Sequence, residues 1–246
     1  MMMLKISKYI FVLLLSSIVL PICAQNVSND SVVSPKRVRG IQYESRDAAA
    51  AAMRRKEIPL LAGMSLSGDV AGAVMALVSP YGQWEGAFRV NLKEKYFPIF
   101  EAGWGTSDHT DETSGLHYKT GAPYFKIGCD YNFMKNLTSG NRIFGGLRYA
   151  FTAFKYDVDG PPIVDPIYGT QTPFNYHGIS SNAQWVEAVF GLEARICKFF
   201  HLGWSFRYKF EVHKKTPSLG NVWYIPGYGK SGGSALGGTF NVIFDI

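Results

Sequence analysis

Several residue groups have types and spacings that could do chemistry. Asp108, His109, Asp111 and Glu112 crowd into five positions. Three hard oxygen donors and an imidazole are the ligands a divalent cation takes. His177 precedes Ser180 and Ser181, and His213 lies two residues after Glu211. A lipid hydrolase needs such a nucleophile, a base and an orienting carboxylate within reach of one another. The spacing here is unspecific, and no catalytic residue is assigned. Gly227-Tyr-Gly229-Lys-Ser-Gly232 matches the dinucleotide glycine pattern letter for letter. That pattern works only between a strand and a helix. Here it leads through Gly233 into another strand, so neither nucleotide nor cofactor is expected. An acidic loop that is simply solvated is the favoured reading of the first cluster, and no metal site is assigned.

The best-defined constellation is a set of charges at alternate positions along strands. The acids are Asp69, Glu85, Glu101, Asp130, Glu187, Glu193 and Glu211, and the bases Arg89, Lys126, Arg148, Arg195, Arg207 and Lys209. Near balance of sign favours a salt-bridged filling over a selective pore, which would carry rings of one sign.

The segments that carry these charges have a period of two from Leu60 onward. Eight strands are expected, at 61–78, 83–92, 96–106, 120–133, 142–156, 183–196, 200–213 and 234–246. One face of each is bulky and apolar. The seventh shows it most clearly, with Leu202, Trp204, Phe206, Tyr208, Phe210 and Val212. The other face holds the charges with Gly, Ser, Thr and Asn. Alternation alone leaves sidedness open, and volume decides it. The apolar faces carry sixteen aromatic rings, too many for the interior of a barrel that side chains just fill. The aromatics therefore face outward into lipid, and the charges face the lumen. Trp84, Trp104 and Tyr124 are expected in one aromatic girdle, and Tyr96, Tyr131 and Phe244 in the other. Trp185 falls on the inward side of this register.

Connections alternate in length. Residues 93–95, 134–141 and 197–199 are short; 107–119, 157–182 and 214–233 are long; 79–82 is a short exception among the latter. Short periplasmic turns with long external loops are the outer-membrane pattern. On the long loops, Tyr168, Phe174, Tyr176, Trp223, Tyr224 and Tyr228 are the candidate anchors for a protein or glycan ligand.

The N-terminus sets the compartment. Lys5 and Lys8 precede an apolar run from Tyr9 to Leu20, and Cys23-Ala24 follows. This is the layout of a secretory signal peptide over 1–24, too short for a spanning helix of about 20 apolar residues. Residues 25–59 form a periplasmic leader with a short helix expected over 46–57, and 60–246 form the barrel. The formal charge of +6 is unevenly spread. The leader holds seven basic and four acidic residues over 25–57, whereas 58–246 hold sixteen and fifteen. The body therefore carries no nucleic-acid footprint. Cys129 and Cys197 fall on elements separated by a strand, about 10 Å apart at the usual spacing, and are expected as free thiols.

The runs YFPIFEAGWGTSDHTDE (96–112), HYKTGAPYFKIGCDYNF (117–133), FGGLRYAFTAFKYDV (144–158), WYIPGYGK (223–230) and GGTFNVIFDI (237–246) resemble a family of outer-membrane β-barrel proteins catalogued as a domain of unknown function. The resemblance spans about 60–246. It implies a barrel in the outer membrane of a Gram-negative cell, and no activity or catalytic residue.

Together these readings give an all-β, eight-stranded antiparallel transmembrane barrel, monomeric and in contact with outer-membrane lipid. A structural or binding scaffold is the leading function. A lipid-modifying hydrolase, a narrow solute channel and a soluble periplasmic β-sandwich are the rivals. Mass spectrometry of the exported protein should find Gln25 as the first residue; a retained N-terminus would contradict the signal-peptide reading.

Overall fold

The structure, a computed structural model, describes residues 58–134, 140–215 and 222–246. The expected signal peptide and the helix expected over 46–57 lie outside the described residues. Strands β1 (Leu61–Asp69), β2 (Tyr81–Leu92), β3 (Tyr96–Thr110), β4 (His117–Asn132), β5 (Arg142–Val164), β6 (Gln171–Arg195) and β7 (Phe200–Lys214) are followed by two short strands, β8 (Tyr224–Ile225) and β9 (Gly229–Lys230), and by β10 (Ser234–Asp245). Eight of them close into an antiparallel barrel in the order β1-β10-β7-β6-β5-β4-β3-β2. β8 and β9 pair only with each other.

The sidedness follows the volume argument. Phe88, Phe100, Ile127, Leu147, Phe190, Trp204 and Phe206 all stand exposed on the outer face. The alternate positions Glu101, Lys126, Arg148, Glu187 and Arg207 are buried. An outward surface this apolar has hydrocarbon as its solvent, where strand pairing satisfies backbone groups within the wall. Trp84 and Trp104 are cross-strand partners and both exposed, as are Tyr96 and Phe244 near the opposite end. Tyr124 is a correction: its side chain is buried inside the barrel rather than standing in the girdle. It shares the inward register of Lys126 and Asp130. Cys129 and Cys197 are free thiols, both exposed.

Three elements differ from the expected strand map. The first strand ends at Asp69, and the rest of 61–78 is a helix, α1 (Val70–Val78). Asp69 caps it, accepting from the backbone N–H groups of Ala71 and Gly72. The segments 107–119 and 157–182 are largely ladder rather than loop, because β3, β4, β5 and β6 run on past the barrel rim. At about 3.4 Å per residue, the 25 residues of β6 extend about 80 Å, well beyond an apolar band about 25 Å tall. Pro161 and Pro162 are tolerated in β5 because they fall in the irregular pairing between Gly160 and Ile163.

Leu147 is 64% exposed in the middle of the outer face. Leu147→Arg should lower folding stability in liposomes by about 2–4 kcal/mol, measured by denaturant titration. A neutral result would mean that this face meets water.

Candidate functional site: the filled lumen and the projecting hairpins

The small barrel brings the inward side chains of all eight strands into one narrow space. The described residues buried there include six acids, Asp69, Glu85, Glu101, Asp130, Glu187 and Glu193. They face six bases, Arg89, Lys126, Arg142, Arg148, Arg207 and Lys209. At mid-height, Arg207 reaches Glu101 at 2.8 Å and Glu85 at 2.9 Å. Lys126 Nζ lies 2.8 Å from Glu85 and 3.2 Å from Glu187. Arg148 spans Glu101 at 3.1 Å and Asp130 at 2.7 Å. Each of these three cations has more than one anion, which is the condition under which buried pairs offset their desolvation. A polar cavity beside Asp69, Glu101 and Arg207 has room for about one water.

Toward the short-turn end the filling becomes aromatic. Arg142 lies over the Phe97 ring at 4.0 Å and pairs with Glu193. Arg89 shares the same carboxylate at 3.1 Å. His201 bridges Glu193 and Asp245 at 3.3 and 2.8 Å. Ile243, Phe144 and Ile99 close the gaps.

At the opposite end the lumen is closed by its own chain. Residues 222–230 form a strap whose β8–β9 turn enters the barrel mouth. Val222, Ile225 and Tyr228 pack with Tyr124, Phe154, Tyr156 and Trp185. Lys209 donates to the carbonyls of Gly227 (2.7 Å) and Tyr228 (3.0 Å), joining the strap to the charge network. Gly227 has φ +81°, and a Cβ there would strike the Tyr124 ring. Trp185 donates to Glu187 at 2.7 Å and meets Tyr228 edge-on at 5.7 Å. Its inward register is thereby explained.

Eleven of the thirteen sequence-selected charges thus lie in the buried network. Two do not. Arg195 is exposed at the short-turn rim, where β6 ends and its backbone N–H donates to Asn141. Glu211 is half-buried at the other rim and pairs with Lys214 at 3.3 Å, because the strap fills the lumen at that height. Arg142, Tyr124 and His201 were missed. Arg142 shares the register of Arg148, so extending that alternation to the strand start would have found it.

The loop anchors divide. Tyr168 (82%) and Tyr176 (40%) are exposed on the β5–β6 hairpin. Phe174 is half-buried and packs edge-on against Tyr176. Tyr224 and Tyr228 are corrections: both are buried, drawn into the mouth by apolar packing. Half-buried Trp223 stacks on His109 at 4.2 Å. Ile163, Val164 and Ile167, not singled out in the sequence, stand exposed near Tyr168. The short runs that precede and follow Asp165 look like ordinary loop.

The other chemical candidates separate. Asp108 pairs with His117 and Lys119. Asp111 caps its own turn, accepting from Ser114 and Thr113, and these bonds hold its carboxyl below the usual range. Among the described residues, no group of three or more ligand side chains is placed to hold a metal. His177 lies between Asp157 and Asp159, while Ser181 donates to the Lys215 carbonyl. The Gly227–Gly232 run is the strap turn and its exit, with no helix after it.

The profile of a domain of unknown function, DUF6048, matches residues 6–246. The chain belongs to the DUF6048 family. The match takes in the N-terminal segment as well as the barrel runs that carried the resemblance. No curated protein matches the DUF6048 chain. Among solved structures it is similar to a major outer membrane protein from Thermus thermophilus, at 13% identity over 75% of this chain and 98% of that one, with a TM-score of 0.41. It is also similar to CarO2 of Acinetobacter baumannii, at 12% over 75% and 97%, TM-score 0.38. A third is Ail, the attachment invasion locus protein of Yersinia pestis, solved with the heparin analogue sucrose octasulfate, at 10% over 74% and 93%, TM-score 0.35.

Glu101 accepts from both Arg148 and Arg207. Glu101→Ala should therefore cost about 3–5 kcal/mol, the usual loss when a buried pair is broken. Thermal or denaturant unfolding checks this, and unchanged stability would contradict the packing role of the network.

Proposed function

We propose that this DUF6048 protein is a sealed outer-membrane barrel that acts as a rigid scaffold, presenting its β3–β4 and β5–β6 hairpins outside a Gram-negative cell to a macromolecular ligand. The observation that carries the reading is the double closure of the lumen, by paired charges at mid-height and by the strap above. Among the described residues the lumen is packed at both heights, and the same wall runs outward as a long β-ribbon. Binding surfaces are commonly held on rigid supports of this kind. The ribbon end exposes Ile163, Val164, Ile167 and Tyr168, an aliphatic and aromatic patch suited to a protein partner. Stacking on Tyr168 and Tyr176 would suit a glycan, and the choice between the two is an outcome of the binding test. The lumen charges serve as internal packing in this reading, with the outer face in lipid and the barrel acting as a monomer.

Purified barrel in planar bilayers should give no steady conductance. Ile167→Asp with Tyr168→Ala should abolish binding of the labelled barrel to whole cells or glycan arrays, with its melting temperature unchanged. Steady conductance, or retained binding by the double variant, would overturn the proposal.

A further inference from the structure

The barrel wall is not built from strands all the way round. β1 pairs with β10 only over Ser65–Asp69 and with β2 only as far as Gly68↔Gly86. Beyond that height β10 runs on from Phe240 to Ser234 paired with β7, and β2 from Glu85 to Tyr81 paired with β3. Between these two edges, where β1 would continue, the chain forms α1. The edge strands thus have a helix for a neighbour and not a ladder.

Asp69 makes the junction. Its buried carboxylate accepts from the Ala71 and Gly72 N–H groups and also from the Phe240 N–H, each at 3.1 Å. Phe240 is the first β10 residue past the last β1 partner, so one side chain satisfies both the helix start and the strand edge. Ser79 closes the other end, its N–H donating to Met75 O at 2.9 Å. Between these caps the helix pairs backbone groups within itself, as a wall element in hydrocarbon requires.

The sequence of α1, VAGAVMALV, has no polar side chain. Its small residues face the barrel: a Cβ on Gly72 would meet Gln83, and one on Gly82 would meet Ala76. Val74, Met75, Leu77 and Val78 are exposed. The two strands that flank α1 also carry exposed apolar side chains, Trp84 on β2 and Leu236 on β10. A water-facing helix of this kind would have polar positions on its outer side.

We propose that α1 is a wall element embedded in the outer leaflet, and that the β2–β10 seam is a contact surface for lipid acyl chains. This rests on the membrane reading above and goes beyond it by placing a helix, rather than a strand, against lipid. Asp69 joins β1, α1 and β10 at the base of this seam.

The test is spin-label accessibility in liposomes, with Cys23, Cys129 and Cys197 changed to Ser. Labels at Leu77→Cys and Leu147→Cys are compared, with Tyr168→Cys as the water reference and Met75→Cys as a second α1 position should Leu77→Cys fail to fold. The Leu77 label is expected within roughly twofold of the Leu147 label in collisions with oxygen, and equally shielded from a water-soluble nickel chelate. Nickel collisions at Leu77 with Leu147 still shielded would overturn the inference alone. Shielding of Leu77 from both reagents would mean a protein cover, and would also overturn it. Nickel collisions at both sites would overturn the membrane reading as well.

Discussion

The structure depends on one constraint: a lipid-facing barrel of eight strands must neutralise everything it turns inward. Its interior is too narrow for bulk water, and moving an ion there costs several kcal/mol after relaxation. The chain meets this with shared partners. Glu101 serves Arg148 and Arg207, Glu193 serves Arg89 and Arg142, and Lys126 lies among Glu85, Glu187 and Glu101. Sharing spreads the desolvation cost of each ion over several strands. It also ties β2, β3, β4, β5, β6 and β7 together through their side chains, in addition to the ladder.

The strap completes the same solution at the barrel mouth. There the inward positions change from charged to apolar, at Tyr124, Ala150, Phe154, Tyr156 and Trp185. Such a surface cannot face open water without cost, and Ile225 and Tyr228 cover it. Lys209 spans the boundary, its ammonium satisfied by the strap carbonyls Gly227 O and Tyr228 O. Among the described residues, the β3–β4 and β5–β6 hairpins run on beyond this closed mouth.

The fold was legible because a barrel leaves a period-two record on both faces, and because the volume of sixteen rings settles which face is out. The lumen charges were legible for the same reason, and Arg195 and Glu211 show where the rule stops. At strand ends, inward register no longer implies burial. The strap was not legible. Tyr224 and Tyr228 sit in a segment rich in Gly and Ser, and only the apolar inward positions of distant strands, 124, 154 and 185, show that something must cover them. Trp185, aromatic in an inward register, signals that need, as do Tyr124 and Phe154. α1 was missed because an unbroken apolar run fits a buried strand and a lipid-facing helix equally well; Asp69, a capping residue at the point of change, carried the distinction.

The central claim is that the lumen is a mutually dependent ion-paired core. A double-mutant cycle on Glu101 and Arg207, with Glu101→Gln, Arg207→Met and the double variant unfolded reversibly in liposomes, tests it most directly. Coupling of about 0.5–3 kcal/mol, the range for contacting residues in one network, is the predicted result. Additive single effects would contradict the account.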